Sequence, residues 1–361
     1  MSVTSFPSTS KAPTQVGDRR ARGALIQTTL VVALICVMLL SLGWGAASST
    51  DVIGALGAKF GVGTANLRDM AIVWDIRMPR MVTGALVGAA LAVSGAVMQG
   101  LFRNPLADPG LVGVSAGAGL GAVAAIVLGG LLPAAFQAIT GSYLVPFAAF
   151  LGGWASTLVL YRIATQGGRT SVATMLLAGI ALGALTGAVT GFIVYRATDD
   201  QLRDLTFWGM GSLAGATWLK LMTAGPIIIF TLLSAPFLAR SLDALALGEP
   251  VAAHLGVDVQ KMKRLAVLSV AASVGACVAI TGGIGFIGIV VPHLLRLVQG
   301  PVHRTLLPNA ALLGAIVLLV ADMFSRVVVS PAELPIGIVT ATLGGPFFLW
   351  ILLKNRAILE S

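Results

Sequence analysis

The chain has 361 residues, of which 57% are apolar and only 10% are charged, and its formal net charge is +9. Because a soluble domain carries roughly 25% charged residues, this composition excludes an ordinary soluble fold and indicates a polytopic protein of the lipid bilayer. The positive charge does not indicate a nucleic-acid partner, since Lys and Arg lie at the ends of apolar segments without forming a basic stripe.

The N-terminal residues 1–23 are polar, and we expect them to form a disordered cytoplasmic tail. The apolar run that follows, Ala24 to Gly43, resembles a signal peptide, but its length suits an uncleaved spanning helix better. Further spanning segments are predicted near residues 80–102, 111–131, 143–164, 171–195, 221–239, 264–281, 306–328 and 335–353. Residues 355–361 are predicted to form a cytoplasmic C-terminal tail.

A shorter apolar stretch at 284–297 contains Pro292 and predicts a tilted or broken helix buried in protein or lining a cavity. With it, residues 24–354 form an all-α transmembrane domain of ten segments, and both termini lie on one side. About two thirds of the 23 Lys and Arg residues then fall on the side of the N-terminus. This bias predicts cytoplasmic termini, although the positive charge on the outer side is not small.

The loop between the sixth and seventh segments contains a short helical pattern at residues 247–256. Pro250 suits a first helical turn and Gly256 a left-handed stop, while Val251 and Leu255 are four residues apart on one face. A helix this short is not stable alone in water. It therefore needs a partner, and the spacing leaves open whether this is its own bundle or another protein.

A second element on the same side, residues 102–110, has prolines at 105 and 109 around a polar turn. The pattern by itself favours a tight helical hairpin. Two glycine-rich breaks follow later, at residues 282–285 and 344–346. They indicate close helix packing more strongly than a passage.

Charged residues cluster at the outer ends of two segments. Asp75, Arg77 and Arg80 surround the start of the second, and Arg326 and Glu333 flank the ninth. Because Asp322 and Arg326 are four residues apart, we expect them to pair. An aspartate in an apolar run usually faces a bundle interior or a polar cavity.

Several sequence motifs are absent from the chain. No Lys precedes Ser or Thr, so there is no P-loop, and HExxH does not occur. The three histidines have no metal-ligand spacing. The sequence predicts no catalytic residue, no metal site and no cofactor in this chain, so energy from ATP must come from another polypeptide.

Six strings together resemble the permease subunits of bacterial ABC importers for iron-siderophores and cobalamin, the FecCD-type family. The resemblance extends from about Ala24 to Lys354. The strings are Arg77–Arg80, Gly88–Gly100, Asn104–Pro109, Leu247–Gly256, Gly285–Gly288 with Pro292-His293, and Glu333–Gly344.

The resemblance implies a type II importer permease that pairs with a second permease subunit around the translocation path. Two ATPase subunits, which bind ATP and Mg, would dock on the cytoplasmic side of the inner membrane. The residues implied in ATPase coupling are Leu247, Gly248, Glu249, Ala252, Leu255 and Gly256, together with Asn104, Pro105 and Asp108.

On the outer side, the resemblance implies an extracytoplasmic substrate-binding protein. Its acidic residues would pair with Arg77, Arg80 and Arg326, which we expect to be exposed. It also implies that the path is bordered by Gly209, Met210, Gly211 and Ser212.

The resemblance favours a ferric siderophore as cargo, with cobalamin and haem as alternatives of the same family. An ion-coupled secondary transporter is a second hypothesis, but Asp322 is its only clear intramembrane carboxylate. A membrane-embedded enzyme lacks a cluster of catalytic groups.

Overall fold

The computed structural model describes residues 16–45, 50–62 and 64–354. Two short strands, β1 (Thr165–Gln166) and β2 (Arg169–Thr170), form an antiparallel hairpin in which Thr165 pairs with Thr170. The α-helices in the described residues are α1 (Val16–Gly43), α2 (Val52–Lys59), α3 (Leu67–Ala71), α4 (Met78–Phe102), α5 (Val114–Leu128), α6 (Ala134–Thr140), α7 (Leu144–Ala164), α8 (Val172–Val194), α9 (Asp199–Gly209), α10 (Trp218–Leu245), α11 (Glu249–His254), α12 (Val259–Thr281), α13 (Ile287–Gln299), α14 (His303–Ser325) and α15 (Ile336–Lys354).

The all-α membrane architecture is confirmed. Eight helical stretches of the described residues are long and apolar enough to cross a bilayer, and two shorter apolar helices, α13 and α15, complete the ten predicted segments. The second stretch is longer than predicted, because α3 continues through a π-helical segment into α4 and gives one apolar span over Leu67–Phe102.

The first helix also begins earlier than expected. Because α1 starts at Val16, residues 16–23 belong to a helix rather than to the disordered tail. The Arg and Ala residues of this stretch are good helix formers, so an apolar composition is not needed to extend the helix. The remaining tail residues, 1–15, and the C-terminal residues 355–361 lie outside the described part of the chain.

Local sequence explains where several helices begin. Thr198 and Gln201 form a capping box at the start of α9. The side chains of Ser171, Thr217 and Asp258 accept N–H hydrogen bonds at the starts of α8, α10 and α12. These caps satisfy backbone donors that would otherwise lack partners.

The helix α4 lies at the centre of the bundle, where α10, α12, α13 and α14 pack around it. Its glycines permit this closeness. A Cβ on Gly88 would overlap the carbonyl oxygen of Gly314, and a Cβ on Gly95 would overlap that of Gly288.

The α4 and α14 helices run antiparallel, which defines two ends of the bundle. Arg80 near the start of α4 reaches the end of α14, and Gly100 near the end of α4 meets His303 at the start of α14. We call the end with α11 and the hairpin the α11 side, and the end with α2 and α9 the α2 side.

The first predicted glycine break interrupts the helices. The α12 helix ends at Thr281, Gly282 has a φ of +71°, and α13 begins only after Phe286, which has a φ of +68°. At the second break α15 continues, and a Cβ on Gly344 would overlap the side chain of Phe286. Close packing therefore explains this glycine.

Candidate functional site

The short helix predicted between the sixth and seventh spans is present on the α11 side as α11. It occupies Glu249–His254, with Pro250 in its first turn. Glycines in left-handed conformations flank it, Gly248 with a φ of +107° and Gly256 with a φ of +84°.

The helix α11 has one face toward solvent and one toward the bundle. Leu247, Val251 and Leu255 expose 66%, 44% and 62% of their surfaces, whereas Ala252 is fully buried. The spacing predicted that Val251 and Leu255 share one face, and the structure shows that this face is exposed. Ala252, which the resemblance implies in ATPase coupling, does not belong to that face, because its side chain is buried against the helices that support α11.

A buried lysine lies beneath α11. Lys263 on α12 exposes only 2% of its surface. Its Nζ atom donates to Glu249 Oε1 at 2.7 Å and to the carbonyl oxygen of Thr170 at 2.8 Å. Lys263 was not singled out from the sequence, where it lies one residue before the predicted segment 264–281.

The predicted turn after α4 is present. Arg103 has a left-handed φ of +49°, and Asn104 Oδ1 accepts the N–H of Leu106 at 2.9 Å. Asn104 and Pro105 are exposed at the surface. Asp108 Oδ1 accepts the N–H of Gly110 at 2.7 Å and thereby caps a 3₁₀ turn.

The position of Asp108 differs from the expected ATPase-facing surface. The neighbouring Pro109 packs beside Gly288, which also contacts the backbone of Leu91. Leu91 precedes the end of α4 by eleven residues, about 16 Å along the helix. The chain thus folds back into the bundle after Pro105. Burial there raises the pKa of the Asp108 carboxyl above its usual range.

Residues at the end of α9 and just after it line two cavities. The first has a volume of about 330 Å³ and is lined by Asp108, Trp208 and Gly209, among others. The second has a volume of about 410 Å³ and is lined by Trp208, Ser212 and Lys220, among others. Trp208 therefore borders both cavities.

The four residues predicted to border the path fall into two groups. Gly209 and Ser212 each line one of these cavities. The carbonyl oxygens of Met210 and Gly211 instead accept the N–H groups of Gly337 and Ile336 at 3.0 and 3.1 Å. These two residues hold the start of α15 and do not line either cavity.

Three further residues at the cavities were not singled out from the sequence, Asp204, Trp208 and Lys220. Asp204 and Trp208 are four residues apart on α9, the most polar of the longer helices. Their position on one face of this helix could therefore have been predicted from the sequence. No comparable local pattern marks Lys220, whose Nζ donates to the carbonyl oxygen of Gly215 at 2.9 Å.

The arginines on the α2 side are buried, contrary to expectation. Arg77, Arg80 and Arg326 expose only 5–6% of their surfaces. Arg80 binds Asp322 at 2.8 Å through Nη2 and Glu333 at 2.8 Å through Nη1. The predicted pair of Asp322 with Arg326 is confirmed.

Helix-end carbonyls explain why these arginines are covered. Arg77 Nη1 donates to the carbonyl oxygen of Leu42 at 2.6 Å, and Arg326 Nη1 donates to those of Ser41 and Trp44 at 3.1 and 3.2 Å. The last carbonyls of a helix lack internal partners and attract cations. The end of α1 therefore closes over the cluster, a contact between segments that the sequence did not reveal.

Within the described ranges, no group of three or more His, Cys, Asp or Glu side chains is arranged to hold a metal ion. The side chains that line the two cavities are mainly apolar or small, with Asp108, Asp204 and Lys220 as the charged exceptions. The cavities together with the exposed face of α11 form the candidate site for transport and its coupling.

Comparisons with known proteins find similarity over nearly the whole chain. A model of the FecCD transport family matches residues 30–354. The hemin transport system permease protein HmuU of Yersinia pestis is 43% identical over 334 residues, which cover 92% of this chain and 97% of that protein. The vitamin B12 import system permease protein BtuC of Salmonella typhi is 42% identical over 342 residues, which cover 94% and 97%.

A solved structure is also similar over nearly the whole chain. It is described as a metal-chelate type ABC transporter in an inward-facing conformation. The two chains superpose with a TM-score of 0.80 and are 31% identical in sequence, and the match covers 92% of this chain and 99% of the other.

Proposed function

Because this chain belongs to the FecCD transport family and is an ABC importer permease, we propose that it carries a metal chelate into the cytoplasm by alternating access driven by two separate ATPase subunits. The observation that carries the coupling part of the proposal is α11, whose exposed Leu247, Val251 and Leu255 form an apolar surface outside the spanning bundle. An apolar patch of this kind on a helix that is not stable alone suits a protein partner.

The two cavities around Trp208 support a path through the chain. They lie in the bundle near the break between α12 and α13, where the backbone of Gly282 and Gly283 is not helical. Non-helical backbone at membrane depth occurs where it is buried or lines a cavity. Gly209 and Ser212 belong to this path, and Asp108 extends it toward the α11 side.

A second permease subunit is part of the proposal. The helix α8 is apolar, and little of it is buried within this chain. Gly183, Gly187 and Gly191 recur every four residues along it, and the space above each is open. Small residues at this spacing let two helices approach closely in a membrane. The subunit pairs with either a second copy or a sister permease.

The substrate-binding protein is proposed to dock on the α2 side. The buried state of Arg77, Arg80 and Arg326 changes how these residues contribute. Direct ion pairs with a partner would require the side chains to leave their present acceptors. We therefore propose that the arginines stabilise the packing of the ends of α1, α4 and α14, which form the surface on which the binding protein docks.

The cargo proposed from the sequence is a ferric siderophore. A specific observation favours a second candidate, since the two relatives described above are named for hemin and vitamin B12 transport. Haem and cobalamin are both tetrapyrrole-type metal chelates. The three chelates are therefore alternative substrates for the same kind of transporter, and each would require the ATPase and the membrane.

The test is ATP-dependent uptake into proteoliposomes. The permease is reconstituted with the ATPase and the substrate-binding protein of its transport system, and the α11 side faces the ATPase. Labelled ferric siderophore, haemin and cobalamin are then offered in parallel. Uptake of one of them that requires ATP and the binding protein supports the proposal and selects the cargo.

Two results would count against it. Uptake driven by an ion gradient without the ATPase would support the secondary transporter, and the importer proposal would be abandoned. Uptake that persists without the binding protein would remove the proposed role of the α2 side. As a control for leak, each assay is repeated with the ATPase omitted.

A further inference from the structure

The ammonium group of Lys263 lies almost wholly inside the protein on the α11 side. A lysine is rarely this buried unless it is paired, because removing its charge from water is costly. The Lys263 Nζ atom donates to the carboxylate of Glu249 at 2.7 Å and to the carbonyl oxygen of Thr170 at 2.8 Å.

These partners belong to separate elements. Glu249 opens α11, Lys263 lies in α12, and Thr170 ends the hairpin between α7 and α8. Two residues of α12 bind the backbone of Thr170. Its N–H donates to Gln260 Oε1 at 2.9 Å, and its carbonyl oxygen accepts the hydrogen bond from Lys263. The next residue, Ser171, caps α8. Lys263 thus connects α11 to the start of α8.

The bond between Glu249 and Lys263 resists separation. If Glu249 moved alone, it would leave a buried ammonium without its counter-charge, which is strongly unfavourable. The Glu249 carboxylate is partly exposed, whereas Lys263 is not. A displacement of α11 is therefore transferred to Lys263 and to Thr170 more readily than it is absorbed by breaking the pair.

We propose that Lys263 is a positioning residue that transmits the movement of α11 to the start of α8 and to α12. The helix α12 lines both cavities, through Val274 and Val278 in the first and Thr281 in the second. Lys263 thereby connects the surface that meets the ATPase with the walls of the path. This inference rests on the proposed function, because it requires an ATPase docked on α11.

The experiment compares uptake per ATP hydrolysed in reconstituted complexes that contain the ATPase and the binding protein. The probe is whichever of labelled ferric siderophore, haemin or cobalamin the unmodified complex takes up. Lys263→Met removes the charge and retains most of the length. Lys263→Arg retains the charge, and Lys261→Met changes an exposed lysine two residues away on the same helix.

Lys263→Met is expected to lower uptake per ATP by about tenfold, the size of a typical coupling between two sites, while the ATPase still co-purifies. Lys263→Arg is expected to restore most of the ratio, and Lys261→Met to leave it unchanged. A structural defect alone would lower the amount of folded complex without changing this ratio, so the ratio separates the two roles.

Glu249→Gln removes the same ion pair by neutralising its more exposed member. It replaces Lys263→Met in the experiment if that variant does not fold and assemble. It is expected to lower the ratio in the same direction. An unchanged ratio in either assembled variant would overturn the inference, as would loss of ATPase binding by Lys263→Met permease that is folded and present at normal amounts. If the unmodified complex takes up no chelate with ATP, the proposed function itself fails, so the two failures are distinguishable.

Discussion

Arg80 and Asp322 form a bidentate ion pair between the start of α4 and the end of α14, although 242 residues separate them in sequence. Arg80 Nε donates to Asp322 Oδ2 at 3.2 Å and Nη2 donates to Oδ1 at 2.8 Å, and both side chains are buried. Such planar, charge-assisted pairs are the strongest hydrogen-bonded contacts that proteins make. The pair fastens two central helices on the α2 side.

The first prediction concerns this pair. Arg80→Gln leaves Asp322 with Arg326 alone and Glu333 without its bidentate partner. Since breaking a buried ion pair costs about 3–5 kcal/mol, we expect a lower unfolding temperature and less folded protein in detergent. Arg203→Gln is the control, because its pair with Asp200 is exposed at 3.8 Å.

Asp322→Asn tests the same cluster from its acidic side. An aspartate that only neutralised Arg326 would tolerate this change. Because Asp322 also binds Arg80, we expect the variant to be destabilised like Arg80→Gln, measured by the same unfolding experiment. Normal stability in Asp322→Asn would show that the two arginines do not depend on its charge.

The second prediction concerns the exposed face of α11. Val251→Asp and Leu255→Asp place a charge on the apolar surface proposed to meet the ATPase. Each is expected to weaken ATPase binding by more than about 1 kcal/mol, as loss of a central interface anchor does. Binding of the purified ATPase to the permease in detergent measures this.

Phe60→Asp is the matched control, because it makes the same kind of change at an exposed residue on the α2 side. It should leave ATPase binding unchanged. Ala252→Arg is expected to disrupt α11 for a different reason, since Ala252 is buried and has no room for a long side chain. Equal ATPase affinity in all the α11 variants would rule out this surface.

The third prediction concerns the break between α12 and α13. Gly282→Ala is expected to destabilise the protein by about 1–3 kcal/mol, because Gly282 has a φ of +71°. The added methyl group would also overlap the carbonyl oxygen of Trp208 and push α9 away from α12. Uptake and unfolding temperature should both fall.

Gly285→Ala provides a close control for that variant. Gly285 lies three residues away in the same break, and a Cβ there would meet nothing within 4 Å. Stability and uptake should therefore remain normal. If Gly282→Ala behaves like Gly285→Ala, the contact between Trp208 and Gly282 is not a constraint on the cavities.

The fourth prediction concerns pH. Burial raises the folded-state pKa of Asp108 above its usual value, so the folded state binds a proton more readily than the unfolded state. Stability should therefore fall as pH rises from the ordinary aspartate pKa through the raised one. Asp108→Asn still accepts the N–H of Gly110 and should reduce this fall.

Unfolding temperatures recorded from acidic to neutral pH check this prediction. Asp200→Asn is the control, because it makes the same chemical change at an aspartate whose side chain is exposed. An identical profile for Asp108→Asn and the unmodified protein would mean that the carboxyl does not change its protonation between the folded and unfolded states in this range.

The sequence by itself determined the membrane class, the ten apolar segments, the break before α13 and the presence of a short helix within residues 247–256. These features depend on composition, length and the glycine and proline residues nearby, all of which act within one segment. The absence of a P-loop is likewise a local property. The pair of Asp322 with Arg326 was predictable because both residues lie four apart on one helix.

Only the tertiary structure decided which of these residues are covered and what they contact. Arg80 meets Asp322 and Lys263 meets Glu249 because separate helices pack together. The end of α1 closes over Arg77 and Arg326, Ala252 turns inward, and Asp108 lies deep beside α12. A local pattern identifies the ends of segments, but burial and charge pairing depend on neighbours that are distant in sequence.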